Sequence, residues 1–391
     1  MFDNFQNRRH FGSLDGLRCL SILAVVWHHT ASSHFRFALA SRGFLGVNLF
    51  FVISGYLITT LLLRERRRTG DIALLKFYAR RTLRIFPLYY AVLLVYVLLT
   101  AFFERDHAAR SAFFANLPWF ASYTSNWFVK LDGPRVIFYF AWSLAAEEQF
   151  YLVWPSIEKR LPRAAVWIAL ALLTLTVVAQ VGLTNAFLKP GTFPHTVIVH
   201  VPLAILLGVM LAHALAYEQT FRILAPLLGR RLMAPLALVL LVATVTPASF
   251  SMMWAWFADL SMVLLVGACV IREDNGLAPV LTWRPIVHVG VVSYGTYLVH
   301  MLAFNLVKRI VPNAGVVLFA TTVLTAVLLA TLSFRHFESR FLRLKRRFSA
   351  DPASSSLGAA AISPPLTLAA SPEAQRTLDR VDPGRVVPRN E

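Results

Sequence analysis

The stretch Ser13–Tyr56, SLDGLRCLSILAVVWHHTASSHFRFALASRGFLGVNLFFVISGY, holds two apolar segments on either side of a short loop. Residues 14–31 are mostly Leu, Ile, Val, Ala and Trp. At about 1.5 Å of rise per helical residue, such a segment is long enough to cross a ~30 Å hydrocarbon core. The stretch therefore predicts a first membrane-spanning helix followed closely by a second.

Two ionisable side chains lie inside the first predicted span. Arg18 and His29 are 11 residues apart, which brings them to nearly the same helix face, about 16 Å apart along the axis. His28 falls about 80° to the other side. Ionisable groups within a membrane are costly and usually face a bundle interior or a wet cavity. A structural alternative remains, in which Arg18 and His29 extend to opposite interfaces.

The composition of the chain excludes an ordinary soluble protein. Of 391 residues, 57% are hydrophobic and only 15% are charged, and the mean hydropathy is +0.60. We therefore expect an all-α, polytopic membrane protein with about ten transmembrane helices in one bundle. The predicted spans are residues 14–33, 43–63, 85–103, 138–157, 164–183, 196–216, 232–247, 254–271, 286–307 and 314–334.

Charge bias predicts the orientation of these spans. An even number of spans places both termini on one side, and most of the 38 Lys and Arg residues fall there. By the positive-inside rule both termini are cytoplasmic, and the net charge of +18 needs no nucleic-acid partner. Residues 110–130 are interpreted as an external loop or a half-buried helix. The loop residues expected to be external are Ser33, Asp132 and Asn313, and those expected to be cytoplasmic are Ser13, Asp71, Glu218 and Ala350.

The chain divides into three predicted regions. Residues 1–12 form a cytoplasmic N-terminal segment and residues 13–347 form the membrane domain. Residues 348–391 are rich in Ala, Ser and Pro and cannot bury enough apolar area to order themselves, so a disordered cytoplasmic tail is expected.

Other polar groups in apolar surroundings are candidate site residues. Glu147 and Glu148 lie inside the fourth predicted span, where two adjacent carboxylates need a polar cavity or partners. Asn48 and His300 fall in the same outer half of the bundle as His29. No His or Cys spacing fits a metal site, so no metal is predicted.

Three arginines lie where the third predicted span leaves the cytoplasm. Arg80 and Arg81 precede Arg84 by four and three residues, so the guanidinium groups can gather on one side of a helix. Such a group suits phosphate binding. The alternative is that the arginines only set topology.

Five separated motifs resemble one family. They are LDGLR at 14–18 with His29, GFLGV at 43–47 with FFVISG at 50–55, the segment Trp142 to Pro155 around Glu147, Arg81-x-x-Arg84-x-x-Pro87, and SYGTYLVH at 293–300. They are similar to the membrane acyltransferase-3 family, whose members O-acylate sugars of bacterial surface polysaccharides, peptidoglycan and some small molecules. The family usually has an acidic residue where this chain has Asn48.

The resemblance implies an O-acetyltransferase of the bacterial inner membrane. It would transfer an acyl group, expected to be acetyl, from acyl-CoA to a hydroxyl of a saccharide or glycosylated acceptor, with acetyl-CoA as co-substrate and no tightly bound cofactor. His29 would be the general base, Glu147 or Glu148 would orient its imidazole, and Arg18 would share the catalytic face. The arginines Arg80, Arg81 and Arg84 would bind the donor, and Asn48, Tyr294 and His300 would support the acceptor or the structure.

Two alternatives stay open. Within the same class, His29 could form a covalent acyl intermediate instead of acting as a base. In another class, the chain would be a multispan transporter or flippase for a polysaccharide intermediate, and Arg18, His29 and the two glutamates would form a relay.

Overall fold

The computed structural model describes residues 2–8, 10–30, 41–131, 135–247, 249–311, 315–345 and 348. Within these ranges every regular element is helical, which confirms the all-α prediction. Most of the predicted tail 348–391 lies outside the described residues, as do Ser33, Asp132, Asn313 and Ala350. The helices are α1 (Phe2–Asn7), α2 (Gly12–Thr30), α3 (Gly46–Thr69), α4 (Leu74–Phe103), α5 (His107–Ala121), α6 (Ser125–Phe128), α7 (Ala141–Arg160), α8 (Ala165–Gln180), α9 (Phe193–Val199), α10 (Leu203–Ala216), α11 (Glu218–Leu228), α12 (Met233–Val245), α13 (Met252–Ile271), α14 (Ala278–Leu281), α15 (Arg284–Val291), α16 (Ser293–Lys308), α17 (Val316–Ser333) and α18 (Ser339–Lys345).

Helices α3 and α10 pack backbone to backbone in the bundle. Gly55 of α3 lies directly against the carbonyl of Ile205, and Gly208 of α10 lies against the carbonyl of Val52. A side chain at either glycine would collide with the facing main chain, so the absence of a Cβ permits the contact. The close approach fixes α3, which carries several of the site residues.

The bundle has two ends, named here by the ends of α2. At the Gly12 end, Arg64 near the end of α3 donates hydrogen bonds to the carbonyls of Phe5 and Arg8. Lys159 near the end of α7 donates to Asp71, just before α4. The Thr30 end holds the last turn of α2 and the residues that precede α7. Helices α2 and α7 therefore begin at opposite ends.

Residues 110–130 are helical rather than an irregular loop. Helix α5 buries Phe113 and Phe120, whereas Phe114 and Trp119 remain exposed. Of the two forms expected for this region, an external loop or a half-buried helix, the structure shows a half-buried helix, and short α6 follows it.

Each predicted apolar segment coincides with one or two helices, but the expected ten spans are not confirmed. Within the described ranges, four helices are long and apolar enough to cross a membrane, and up to seven spans result if each of three bent pairs counts as one. The pairs α9–α10, α11–α12 and α15–α16 bend by 53°, 79° and 79°. Helix α8 is short, and α2 and α7 carry charged side chains that a plain span lacks. The apolar helices nonetheless make this an integral membrane protein.

Candidate active site

His29 lies in the last turn of α2, against the residues that lead into α7. The Tyr139 hydroxyl is 2.7 Å from His29 Nδ1, a hydrogen-bond distance. The ring of His300 stacks on His29 with centroids 5.2 Å apart, and the His28 ring is 5.0 Å away. The imidazole of His29 is therefore held by a hydroxyl and two further rings.

His300 of α16 is fully buried beside His29. Its Nδ1 donates a hydrogen bond to the carbonyl of Tyr297. In neutral imidazole one nitrogen donates and the other accepts, so Nε2 is the free acceptor. Among the described residues this Nε2 has no hydrogen-bond partner. The structure thus places a second histidine beside His29, where the sequence predicted a supporting one.

The two glutamates of α7 do not orient His29. Glu147 accepts hydrogen bonds from the hydroxyls of Ser54 on α3 and Tyr151 on α7. In the described part of the chain, neither Glu147 nor Glu148 forms a hydrogen bond with His29. The predicted carboxylate–imidazole contact is therefore absent from this structure, and Tyr139 occupies the orienting position. No sequence signal pointed to Tyr139, because it lies outside every quoted motif.

Positive charge collects toward the Gly12 end from two helices. The Arg81 guanidinium lies 4.7 Å from the centroid of the Tyr151 ring, beside the hydroxyl bound to Glu147. Arg84 interacts electrostatically with Arg18 and Arg81. Arg18 also donates a 2.7 Å hydrogen bond to buried Asp15 in the first turn of α2. The structure therefore adds Arg18 to the predicted arginine group.

Arg80 points to a different set of partners. Its guanidinium lies 3.6 Å from the carboxylate of Glu65 and donates to the carbonyl of Phe348. Of the three predicted donor-binding arginines, the structure brings Arg81 and Arg84 together and leaves Arg80 paired elsewhere.

Arg84 also lines a small pocket at the Gly12 end. Tyr294, Gly295 and Glu338 form other parts of its wall. The Tyr294 hydroxyl donates to the carbonyl of Ile85 at 2.9 Å, which joins α16 to α4. Tyr294 thus supports the arginine side of the site.

Asn48 has an acidic partner that the sequence interpretation missed. Its amide donates a 2.7 Å hydrogen bond to Asp259 Oδ1, and Asp259 is only 4% exposed. Asp259 is the single acidic residue of the apolar helix α13, a signal that could have identified it. The family resemblance predicts a carboxylate at position 48, where this chain has Asn48. In the structure the carboxylate of Asp259 contacts Asn48 instead.

Metal binding finds no support in the described ranges. They contain no group of three or more His, Cys, Asp or Glu side chains placed to hold a metal ion.

Comparison with known proteins agrees with the motifs. The acyltransferase-3 family model, described as an acyltransferase domain, matches residues 11–335. The peptidoglycan O-acetyltransferase OatA of Listeria monocytogenes is 29% identical over 362 residues, which cover 85% of this chain and 56% of OatA. The candidate peptidoglycan O-acetyltransferase YrhL of Bacillus subtilis is 28% identical over 385 residues, covering 89% of this chain and 58% of YrhL.

The chain thus spans somewhat over half the length of these curated relatives. No solved structure matches it. Because the family model covers most of the chain, from the first predicted span to the end of α17, the chain belongs to the acyltransferase-3 family.

Proposed function

We propose that this chain is a membrane O-acetyltransferase that moves an acetyl group from acetyl-CoA to a hydroxyl of a cell-wall saccharide. The observation that carries the proposal is His29, half-buried in the bundle against Tyr139 and His300 with arginines toward the opposite end. Family membership supports the reaction class. The names of the two relatives support peptidoglycan as the first acceptor to test.

The Gly12 end is the proposed donor side. Basic residues crowd this end, including Arg64, Arg66 and Lys159, and by the positive-inside rule it faces the cytoplasm, as do both termini. There Arg81 and Arg84, with Arg18 nearby, bind the phosphates of CoA. The thioester then extends along the bundle toward His29.

The proposed chemistry needs one base and one oriented thioester. The unprotonated ring nitrogen of His29 accepts the proton of the acceptor hydroxyl while its oxygen attacks the acetyl carbonyl. The C–S bond breaks, the ester C–O bond forms, and CoA leaves as a thiolate that takes the proton back from His29. Holding both substrates in one site makes the transfer effectively unimolecular.

The neighbours of His29 have supporting roles in this mechanism. The Tyr139 hydroxyl fixes the rotation of the imidazole, a role that the sequence assigned to a carboxylate. His300 stacks behind the ring and excludes water. Glu147, bound by Ser54 and Tyr151, balances the charge of Arg81 instead of contacting His29.

Transfer by the purified full chain in lipid nanodiscs tests the proposal. Acetyl-CoA labelled in the acetyl group is supplied with a peptidoglycan disaccharide, and both free CoA thiol and labelled ester are measured. The proposal requires thiol release that depends on the acceptor. A chain that moves a saccharide across vesicles without consuming thioester would be a transporter, and the proposal would be wrong.

A further inference from the structure

Glu148 of α7 lies near four tyrosines. Its carboxylate interacts electrostatically with Tyr89, Tyr90, Tyr123 and Tyr294. Three of these hydroxyls donate to backbone carbonyls at 2.8 to 2.9 Å, namely those of Tyr89, Tyr90 and Tyr294. Glu148 itself has no hydrogen bond to any residue in the described ranges.

Tyr123 is the exception among the four tyrosines. Its side chain is 7% exposed, and its hydroxyl has no hydrogen-bond partner in the part of the chain that the structure describes. Buried hydroxyls are normally paired. An unpaired hydroxyl and an unpaired carboxylate in the same cluster therefore offer one donor and one acceptor to a ligand.

The backbone holds Tyr123 in place at a conformational cost. Tyr123 has φ of 54°, a left-handed conformation that is rare for a bulky residue. It follows the end of α5, where glycine is usual. Gln149 of α7 donates to the Tyr123 carbonyl at 2.8 Å and pairs reciprocally with Asn126 of α6. The residue next to Glu148 thus positions Tyr123 directly.

This cluster lies between the proposed phosphate site and the proposed base. Along α7, Glu148 is about 10 Å from Ala141, next to the His29 contact, and about 4.5 Å from Tyr151, which contacts Arg81. Tyr294 belongs both to this cluster and to the pocket of Arg84. A ligand that extends from the arginines toward His29 must pass this level of the bundle.

We propose that Tyr123 and Glu148 form a binding subsite for a secondary amide of the donor's pantetheine arm. The Tyr123 hydroxyl donates to the amide carbonyl, and the Glu148 carboxylate accepts from the amide N–H. An amide supplies both complementary groups, whereas a phosphate has no N–H to donate and would be repelled by the carboxylate. This inference rests on the proposed use of acetyl-CoA and adds the residues that recognise its neutral part.

Two ligands distinguish recognition of the pantetheine arm from recognition of the phosphates. CoA carries the pantetheine arm, and adenosine 3′,5′-bisphosphate lacks it. Binding of each to the full chain in nanodiscs is measured by calorimetry for the wild type, Tyr123→Phe, Glu148→Gln and the control Tyr89→Phe. The control removes a hydroxyl from the same cluster, but one that is already bound to a backbone carbonyl.

Tyr123→Phe should raise the Kd for CoA by about 3- to 10-fold, the worth of one net hydrogen bond, and leave the Kd for the bisphosphate unchanged. Glu148→Gln should weaken CoA binding at least as much. Tyr89→Phe should change neither affinity. Because the Tyr123 hydroxyl has no hydrogen-bond partner among the described residues, its removal should not lower the unfolding temperature.

The contrary results are distinguishable. Wild-type chain that binds neither ligand would overturn both the proposed donor and this subsite. Wild-type chain that binds CoA more tightly than the bisphosphate, with the same CoA affinity in Tyr123→Phe, would overturn the subsite alone. If Tyr123→Phe or Glu148→Gln lost saccharide binding but kept wild-type CoA binding, the cluster would belong to the acceptor site. That result would also refute the inference.

Discussion

Replacing Tyr139 by Phe removes one hydroxyl from beside His29 and keeps the ring that packs edge-on against the imidazole. The rings are 5.5 Å apart at 78°, and the lost contact is the 2.7 Å hydrogen bond to Nδ1. A net hydrogen bond is worth about 0.5–1.5 kcal/mol. If that bond orients the base for the transition state, kcat should fall by about 3- to 10-fold.

The effect should fall on turnover rather than on donor binding. Tyr139 contacts His29 at the Thr30 end, whereas the arginines proposed to bind CoA lie toward the Gly12 end, so KM for acetyl-CoA should stay the same. Steady-state transfer by purified variants measures both constants. Tyr96→Phe is a matched control, since the Tyr96 hydroxyl is buried without a hydrogen-bond partner in the described residues. Wild-type kcat in Tyr139→Phe would refute the assignment of Tyr139 as the orienting group.

Three further variants test other parts of the structure. Arg84→Ala should weaken CoA binding about tenfold or more by calorimetry, from a charge-assisted contact of about 1.5–3 kcal/mol, while exposed Arg160→Ala should not; equal affinities would leave both arginines with a topological role. His213→Leu should lower the unfolding temperature, because Glu158 is 0% exposed, loses its 2.7 Å hydrogen-bond partner and keeps only the Arg66 guanidinium at 3.6 Å, a loss of about 1–3 kcal/mol; an unchanged melting curve would contradict this. The pKa of His10 is raised, chiefly by a hydrogen bond to a buried aspartate, so its stabilising contribution is present below its ordinary pKa of about 6.5 and is lost as pH rises through the raised value. His10→Gln should therefore lose the part of the pH dependence of melting that lies above about pH 6.5, and a curve of unchanged shape would show that the bond does not matter; this effect should be small because the His10 side chain is 42% exposed.

Local pattern was sufficient to predict the helices and the family. The hydrocarbon core of a membrane has no water to pair with backbone N–H and C=O groups, so an apolar run forms a helix that satisfies its own hydrogen bonds. The helices therefore coincide with the predicted apolar segments. The number of spans was not readable in the same way. A hydropathy profile averages over a bend in the chain and so does not show it. The break before Leu203 and the break after Val291 each divide a run that remains apolar throughout.

The pairings within the site depend on tertiary structure. Tyr139 meets His29 from 110 positions away, and Asp259 meets Asn48 from 211 positions away. Neither pair shares a helix, so no periodicity relates its members. The sequence placed His29 and His300 in the same outer half of the bundle, because depth follows from helix rise. It assigned Glu147 or Glu148 to His29, whereas Glu147 binds Ser54 of α3, because the rotation of α7 about its axis is set by packing against α3.

The most direct test of the account is the rate of acetyl transfer by His29→Ala compared with His28→Ala. Both variants lose an imidazole from the last turn of α2, but only His29 contacts Tyr139 and stacks on His300. His29→Ala should lose about 10²- to 10⁴-fold of the transfer rate, the usual contribution of a general base, while His28→Ala should retain most of it. A melting curve of each variant serves as the control that the protein is folded. Near wild-type transfer by folded His29→Ala would contradict the proposed mechanism.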